Sequence, residues 1–170
     1  MHIDVSQIKK HPAVHELQLV EKLEPFNWQG EGLSFKEPVL VSLKLERIEE
    51  GFFVRGMLKT VLSSRCSRCL MPVNYPVQGE FEGEFILGSQ AAPDQEEEDF
   101  PGQFFTGDVL DLKGLIYETI YLHLPMQFLC SPKCRGLCPH CGNNLNFRNC
   151  SCQEEQVDPR LEVLKDLLRK

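Results

Sequence analysis

The chain has no long apolar segment and little tryptophan or tyrosine. Its 170 residues include one tryptophan and three tyrosines, and no apolar run approaches the roughly 18 residues that span a membrane. The opening residues 1–10 contain an early aspartate and lack the apolar core of a secretory signal peptide. We therefore expect a soluble, cytoplasmic protein with no membrane contact, whose cysteines are not oxidised to disulfides.

The sequence also lacks the motifs of common enzymes. It has no H-E-x-x-H, no phosphate-binding glycine loop and no G-x-S-x-G, so we predict neither catalysis nor a small-molecule substrate. Cys66 and Cys69 have the C-x-x-C spacing of thioredoxin-like redox centres. Such chemistry uses a cysteine at a helix N-terminus, whereas this pair lies between two predicted strands.

Residues 130–152 lack acidic residues altogether and hold most of the eight cysteines. The cysteines could form disulfides, an iron–sulfur cluster or zinc sites, and their spacing matches neither the bacterial nor the plant-type cluster motif. The run C138-P-H-C-G142 is typical of a zinc knuckle, in which two thiolates bind the metal from a tight turn. Gly142 permits the positive φ that turns backbone N–H groups toward sulfur. The pattern predicts zinc.

Eight cysteines suit two closed tetrahedral sites, and closure is typical of structural rather than catalytic zinc. The grouping that we favour has two sets of four: Cys66, Cys69, Cys130 and Cys134 as site 1, and Cys138, Cys141, Cys150 and Cys152 as site 2. The alternative groups the cysteines differently: Cys130, Cys134, Cys138 and Cys141 together, and Cys66 and Cys69 with Cys150 and Cys152. Spacing alone leaves both open.

Alternating apolar residues predict an antiparallel β meander in an α+β fold. Three strands are expected over residues 38–50, 52–62 and 73–87, with a hairpin at Glu49–Gly51 and with Cys66 and Cys69 in the second turn. A short strand is expected within residues 2–8, whereas residues 14–23 could form a strand or a helix. Trp28 is expected to be a packing residue.

One central helix is predicted over residues 111–124, with Asp111 as its N-cap and Pro125 after its end. We divide the chain into a β-rich domain at 1–125, a zinc-binding module at 126–157 and a short C-terminal helix at 158–170. Cys66 and Cys69 would join the module to the first domain. His123 is expected to be a packing or surface residue rather than a ligand.

The formal net charge of −7 argues against a general polyanion-binding protein, but the charge is unevenly distributed. Basic residues collect near the predicted zinc sites, and these are the candidates for RNA contact: Arg65, Arg68, Lys133, Arg135 and Arg148. Each Zn(Cys)4 centre is formally −2, so part of this charge could serve only to neutralise thiolates. The acidic run 94–99 is either a solvated loop or an arm for a basic partner.

Several segments together resemble the YceD family, the large ribosomal RNA subunit accumulation proteins. They are R65-C-S-R-C-L70, Leu124–Pro125, C134-R-G-L-C-P-H-C-G-N-N-L-N146, C150-S-C152 and D158-P-R-L161. The resemblance implies a role in ribosome biogenesis, with large-subunit rRNA or a ribosomal protein as the partner. Not all family members keep the last cysteines, which implies that Cys66 and Cys69 pair with Cys130 and Cys134. The alternative function is a zinc-stabilised protein–protein adaptor without RNA contact.

Overall fold

The computed structural model describes residues 1–8, 13–88 and 103–152. The described part of the chain contains nine strands and one helix, in this order: β1 His2–Asp4, β2 His15–Glu21, β3 Phe26–Trp28, β4 Glu31–Phe35, β5 Val39–Ile48, β6 Gly51–Arg65, β7 Pro72–Leu87, β8 Gln103–Phe105, β9 Val109–Asp111 and α1 Lys113–Leu122. Within these ranges no helix is long and apolar enough to cross a membrane. The predicted acidic run at 94–99 and the predicted C-terminal helix at 158–170 lie outside the described residues.

The long strand β6 organises the main sheet. It pairs antiparallel with β5 over Gly51–Lys59, with β4 near Leu62, and on its other side with β7 over Gly51–Arg65. β2 extends the sheet beyond β5, and β3 extends it beyond β4. The predicted antiparallel meander of β5, β6 and β7 is therefore confirmed, and residues 14–23, which the sequence left undecided, contain strand β2.

Two features depart from a simple meander. β8 joins the sheet parallel to β7, with Phe85 opposite Gln103, and β1 and β9 form a separate antiparallel pair. These strands have only three residues each, too few to show a period of two in the sequence. The described sheets are thus mostly antiparallel, and the parallel strand β8 adds to the predicted meander.

One face of the sheet and α1 enclose the core. The alternate residues Val39, Val41, Leu43 and Leu45 of β5 are buried, and the helix contributes Leu115, Ile116 and Ile120. Glycines let the helix approach β7 closely, because a Cβ at Gly79 would lie 2.6 Å from the His123 ring. His123 is therefore a packing residue, and its Nδ1 lies 2.8 Å from the Thr119 carbonyl oxygen.

Helix α1 begins at Lys113, one residue later than the predicted N-cap at Asp111 would place its start. Leu112 is the N-cap and makes no side-chain capping bond, while the Asp111 carboxylate accepts a hydrogen bond from the N–H of Lys113 at 2.9 Å. Burial of Leu112 explains this start, since its fully buried side chain ties the first turn to the core. Trp28 is a packing residue, as predicted, and stacks on Tyr121 with ring centroids 5.3 Å apart.

Candidate metal centres

The described cysteines form two groups of four. Cys66, Cys69, Cys130 and Cys134 make up group 1, and Cys138, Cys141, Cys150 and Cys152 make up group 2. Within each group the Sγ atoms all lie within 4.8 Å of one another, so each group could hold a metal ion. The structure thus assembles the same sets as the favoured grouping, and it separates the sets of the alternative grouping.

Group 1 joins the β sheet to the cysteine-rich segment. Cys66 and Cys69 lie in the turn that connects β6 to β7, whereas Cys130 and Cys134 follow α1. The Sγ atoms of Cys66 and Cys134 are 3.8 Å apart, and those of Cys69 and Cys130 are 3.5 Å apart. Tetrahedral zinc with Zn–S bonds of about 2.3 Å separates its sulfurs by about 3.8 Å. The spacing suits such an ion.

Backbone contacts hold the two halves of group 1 in place. The N–H of Ser67 donates to the Phe128 carbonyl at 2.8 Å, and the Arg68 guanidinium donates to the Cys134 carbonyl at 3.0 Å. Gly136, with φ of +76°, lets its backbone approach Arg68, because a Cβ there would lie 3.1 Å from the Arg68 carbonyl oxygen. Cys66, Cys69 and Cys134 are all buried.

Group 2 is built from a tight turn and a short loop. The N–H of Cys138 donates to the Asn143 carbonyl at 2.8 Å, and the N–H of Gly142 donates back to Cys138 at 2.9 Å. Gly142 has the positive φ that the knuckle pattern predicts, at +72°. Cys138 is buried, but Cys141 and Cys152 are exposed, so this group lies nearer to solvent than group 1.

In both groups, backbone N–H groups stabilise the thiolate of one cysteine. Burial opposes ionisation of Cys66, yet backbone N–H donors from Cys130, Cys69 and Arg68 lower its pKa to about 6. The backbone N–H groups of Cys141 and His140 likewise lower the pKa of Cys138 to about 6. In both cases the favoured thiolate is the first cysteine of a C-x-x-C turn.

Cys130 and Cys152 resist ionisation because hydrogen bonds with neighbouring cysteines of the same group favour their neutral thiols. The neighbouring Cys69 thiol raises the pKa of Cys130 to about 12, and Cys141 does the same for Cys152. Four thiolates this close repel one another unless a cation lies between them. A divalent cation would remove that repulsion, and no water or substrate position would then remain open.

Asn146 links the two groups, and the sequence analysis did not predict a role for it. Its Nδ2 donates to the Cys134 sulfur at 3.3 Å, although Asn146 lies in the loop of group 2. This bond is the main cause that lowers the pKa of Cys134. The Oδ1 atom accepts the N–H of Arg135 at 2.8 Å, which fixes the orientation of the amide. Its position in a cysteine-rich motif was the only available signal.

The candidate RNA-contacting residues surround these groups. Arg65 ends β6, and all five residues are exposed: Arg65, Arg68, Lys133, Arg135 and Arg148. The Arg135 guanidinium donates to the Asn149 side chain at 3.1 Å. Arg68 and Arg135 thus have structural contacts, which go to a carbonyl and a side-chain amide, whereas the sequence suggested that such residues could neutralise thiolates. We refer to these five side chains as the basic face.

A family model of the large ribosomal RNA subunit accumulation protein YceD matches residues 54–168. An uncharacterised protein of Mycobacterium tuberculosis is 34% identical over 128 residues, which is 75% of this chain and 61% of that protein. An uncharacterised protein of Mycobacterium leprae is 30% identical over 167 residues, covering 97% of this chain and 76% of that protein.

A maize protein named large ribosomal RNA subunit accumulation protein YCED homolog 1, chloroplastic, is 28% identical over 156 residues. That match covers 74% of this chain and 52% of the maize protein. The chain thus spans about three fifths of the length of the first mycobacterial relatives that it matches, at 61%. No solved structure matches the chain significantly.

Proposed function

The chain belongs to the family of the large ribosomal RNA subunit accumulation protein YceD, and we propose from this membership that it is a non-catalytic factor for accumulation and assembly of large-subunit rRNA. The observation that carries the proposal is the family match over residues 54–168, which includes both cysteine groups. The maize and Arabidopsis thaliana relatives, both named large ribosomal RNA subunit accumulation protein YCED homolog 1, support the same process. The cytoplasm is the proposed location.

The proposed cofactor is zinc, with one ion in each group. Four thiolate ligands are the donor set of structural zinc sites, and the sulfur separations of group 1 suit its bond length. Cys66, Cys69, Cys130 and Cys134 would hold the first ion, and Cys138, Cys141, Cys150 and Cys152 the second. The metal would fold the 126–157 module onto the β-rich domain at 1–125.

The proposed contact with rRNA is the basic face. Its residues lie beside the metal centres, where backbone hydrogen bonds fix the turns that carry them. The whole chain is acidic, at −7, so RNA would repel most of its surface and approach at the basic face. Contacts of this kind go to phosphates, and they position the protein without reading sequence.

A second function follows from the same geometry: a zinc-stabilised adaptor that binds a ribosomal protein without touching RNA. Two observations favour it. Arg68 donates to the Cys134 carbonyl and Arg135 to Asn149, so part of the basic charge is used within the protein. Two Zn(Cys)4 centres would also offset four positive charges.

The assembly role is tested in cells that lack the protein. We expect a low ratio of large-subunit to small-subunit rRNA, restored by the wild-type chain. A chain with Cys66→Ser and Cys69→Ser should fail to restore it, because group 1 would lose its metal. A normal ratio in the deletion strain would rule out the assembly role, for both the RNA-contacting and the adaptor form.

A further inference from the structure

One edge of β7 lacks a strand partner over most of its length. β6 pairs with β7 from Pro72 to Ile86, but on the other side β8 pairs only with Phe85, Ile86 and Leu87. Among the described residues, no strand pairs with that side of β7 before Phe85. Exposed strand edges present unpaired N–H and C=O groups and serve as templates for another chain.

The register shows which backbone groups point outward. The N–H of Leu87 donates to Glu50 across the sheet at 2.8 Å, whereas the N–H of Gly88 donates to Phe105 of β8 at 3.1 Å. Pairing of β6 with β7 runs without interruption, and hydrogen-bonded pairs alternate along an antiparallel ladder. Odd-numbered residues of β7 therefore bond to β6, and even-numbered residues direct their backbone groups to the open edge.

The position of proline in β7 agrees with this odd–even pattern of backbone bonds. Pro76 has no N–H to donate, and it occupies an even position, where no bond to β6 is lost. From Gln78 to Glu84 the even positions hold no proline. We call residues 78–84 the β7 edge.

Acidic side chains line the β7 edge. Glu80, Glu82 and Glu84 are all exposed and stand on the outer face of the sheet. A groove of about 300 Å³ runs along the edge, between β7 and the helix. Glu118 of α1 adds a further carboxylate to it, and its lining includes no lysine or arginine among the described residues.

The floor of the groove is apolar. Leu115 and Phe85 contribute to it, and so does Leu122, whose side chain is 78% exposed at the end of α1. An added strand places alternate side chains on opposite faces. One face of such a strand would lie beside the glutamates, and the other would cover Leu122.

We propose that the β7 edge binds an extended basic segment of another protein by strand addition, with lysine or arginine at alternate positions and apolar residues between them. The even N–H and C=O groups from Gln78 to Glu84 supply the main-chain bonds. Glu80, Glu82 and Glu84 select the basic face of the segment, and Leu115 and Leu122 accept its apolar face.

Charge argues against three other occupants of the β7 edge, namely a second copy of the chain, the chain's own residues 89–102, and RNA. A second copy paired edge to edge would bring its own Glu80, Glu82 and Glu84 against these three, and like charges opposite one another destabilise a sheet. The chain's own residues 89–102 carry Asp94, Glu96, Glu97, Glu98 and Asp99. RNA phosphates would be repelled in the same way. The proposal rests on this edge and does not depend on the proposed function.

The test uses full-length, zinc-loaded protein and a short synthetic peptide of alternating lysine and valine. Amide hydrogen exchange followed by NMR should show new protection at Gln78, Glu80, Glu82 and Glu84, by about tenfold or more when the peptide is saturating. The odd residues between them already bond to β6, so their protection should change little. A peptide of alternating glutamate and valine should produce no protection.

A matched pair of variants tests the charge requirement. Glu80→Lys with Glu82→Lys should weaken binding of the lysine–valine peptide by about tenfold or more. Glu49→Lys with Glu50→Lys, which changes the net charge equally in the β5–β6 hairpin, should leave the affinity within about twofold. Unchanged protection of the odd amides of β7 shows that each variant is folded.

Four results would overturn the proposal. Even amides already protected in dilute free protein would mean that the chain covers its own edge. Protection that grows with protein concentration, in the absence of peptide, would assign the edge to a second copy. Peptide binding without protection of the even amides would mean that surface charge alone holds the peptide and that no strand is added. Protection of the even amides by single-stranded RNA would identify the wrong class of partner.

Discussion

Leu70 and Gly142 hold the same position in two copies of one turn. Each follows the second cysteine of a C-x-x-C pair, and each donates its N–H to the carbonyl of the first cysteine at 2.9 Å. Their φ angles are +60° and +72°, in the left-handed region. A leucine in this conformation costs about 1–2 kcal/mol, which glycine avoids. The first turn keeps the knuckle geometry in spite of that cost.

The conformational cost can be measured at Gly142. Gly142→Leu should lower the free energy of unfolding by about 1–2 kcal/mol, and it should weaken zinc binding by group 2. Clashes of the added Cβ with the rest of the protein do not contribute, since a Cβ at Gly142 would meet nothing within 4 Å. Denaturant unfolding at a fixed free zinc concentration and competition with a zinc indicator measure the two effects.

Gly30 provides the matched control, because its φ is +84° and a Cβ there also meets nothing within 4 Å. Gly30→Leu should cost a similar free energy of unfolding and leave zinc affinity unchanged. Equal loss of zinc affinity in both variants would show that the turn at Gly142 has no special part in binding metal.

Metal content should be two zinc ions per chain, since the described cysteines form two groups of four. Metal analysis of protein purified without added metal measures this directly. A strong chelator should lower the unfolding temperature, because metal binding at such sites is coupled to folding. One equivalent of zinc would contradict the proposal of two occupied centres. Iron, together with a visible absorption band, would show that the cysteines hold an iron–sulfur cluster instead of zinc.

Single cysteine variants should remove the metals separately. Cys69→Ser should lose one zinc and loosen the junction of the sheet with the cysteine-rich segment, since group 1 joins these parts. Cys152→Ser should lose the other zinc and leave β5, β6 and β7 folded. Zinc content and amide exchange of the strands distinguish the two results. Loss of the group 2 metal in Cys69→Ser would instead support the alternative grouping.

The sequence predicted the parts of the fold that depend on local pattern. Long strands such as β5 show their period of two because one face is buried, and the cysteine spacing predicts turns that bind metal. Parallel pairing of β8 with β7 could not be predicted, since three residues at Gln103–Phe105 have no readable period. Leu70 also gave no sign of its positive φ, because glycine is the usual residue there.

Asn146 shows why the coupling between the two groups was missed. Its bond to Cys134 spans 12 positions and depends on how the two turns pack together, which no local pattern records. We predict that Asn146→Asp weakens zinc binding by group 1 about 10–100-fold, because a carboxylate beside the thiolates repels them and cannot donate. Asn146→Gln retains a donor on a longer side chain and should have a smaller effect.

Titration of zinc into metal-free protein, with group 2 blocked by Cys152→Ser, isolates the affinity of group 1. The same titration of Asn144→Asp is the control, since Asn144 contacts the Asn146 side chain but no sulfur. An unchanged group 1 affinity in Asn146→Asp would mean that the amide has no part in holding the thiolate.

The basic face distinguishes RNA contact from protein contact. Lys133 and Arg148 are exposed and lie outside both C-x-x-C turns, so reversal of their charges should spare the metal centres.

In the deletion strain, a chain with Lys133→Glu and Arg148→Glu should leave the ratio of large-subunit to small-subunit rRNA low, while the purified variant keeps two zinc ions. Reversed charge replaces phosphate attraction with repulsion, and the loss of affinity for RNA should be smaller at higher salt, because salt screens both interactions. Lys22→Glu with Lys36→Glu changes the net charge equally at exposed positions outside the basic face and should restore a normal ratio. A normal ratio in the Lys133 and Arg148 variant, with a low ratio in the deletion strain, would keep the assembly role and assign the contact to protein.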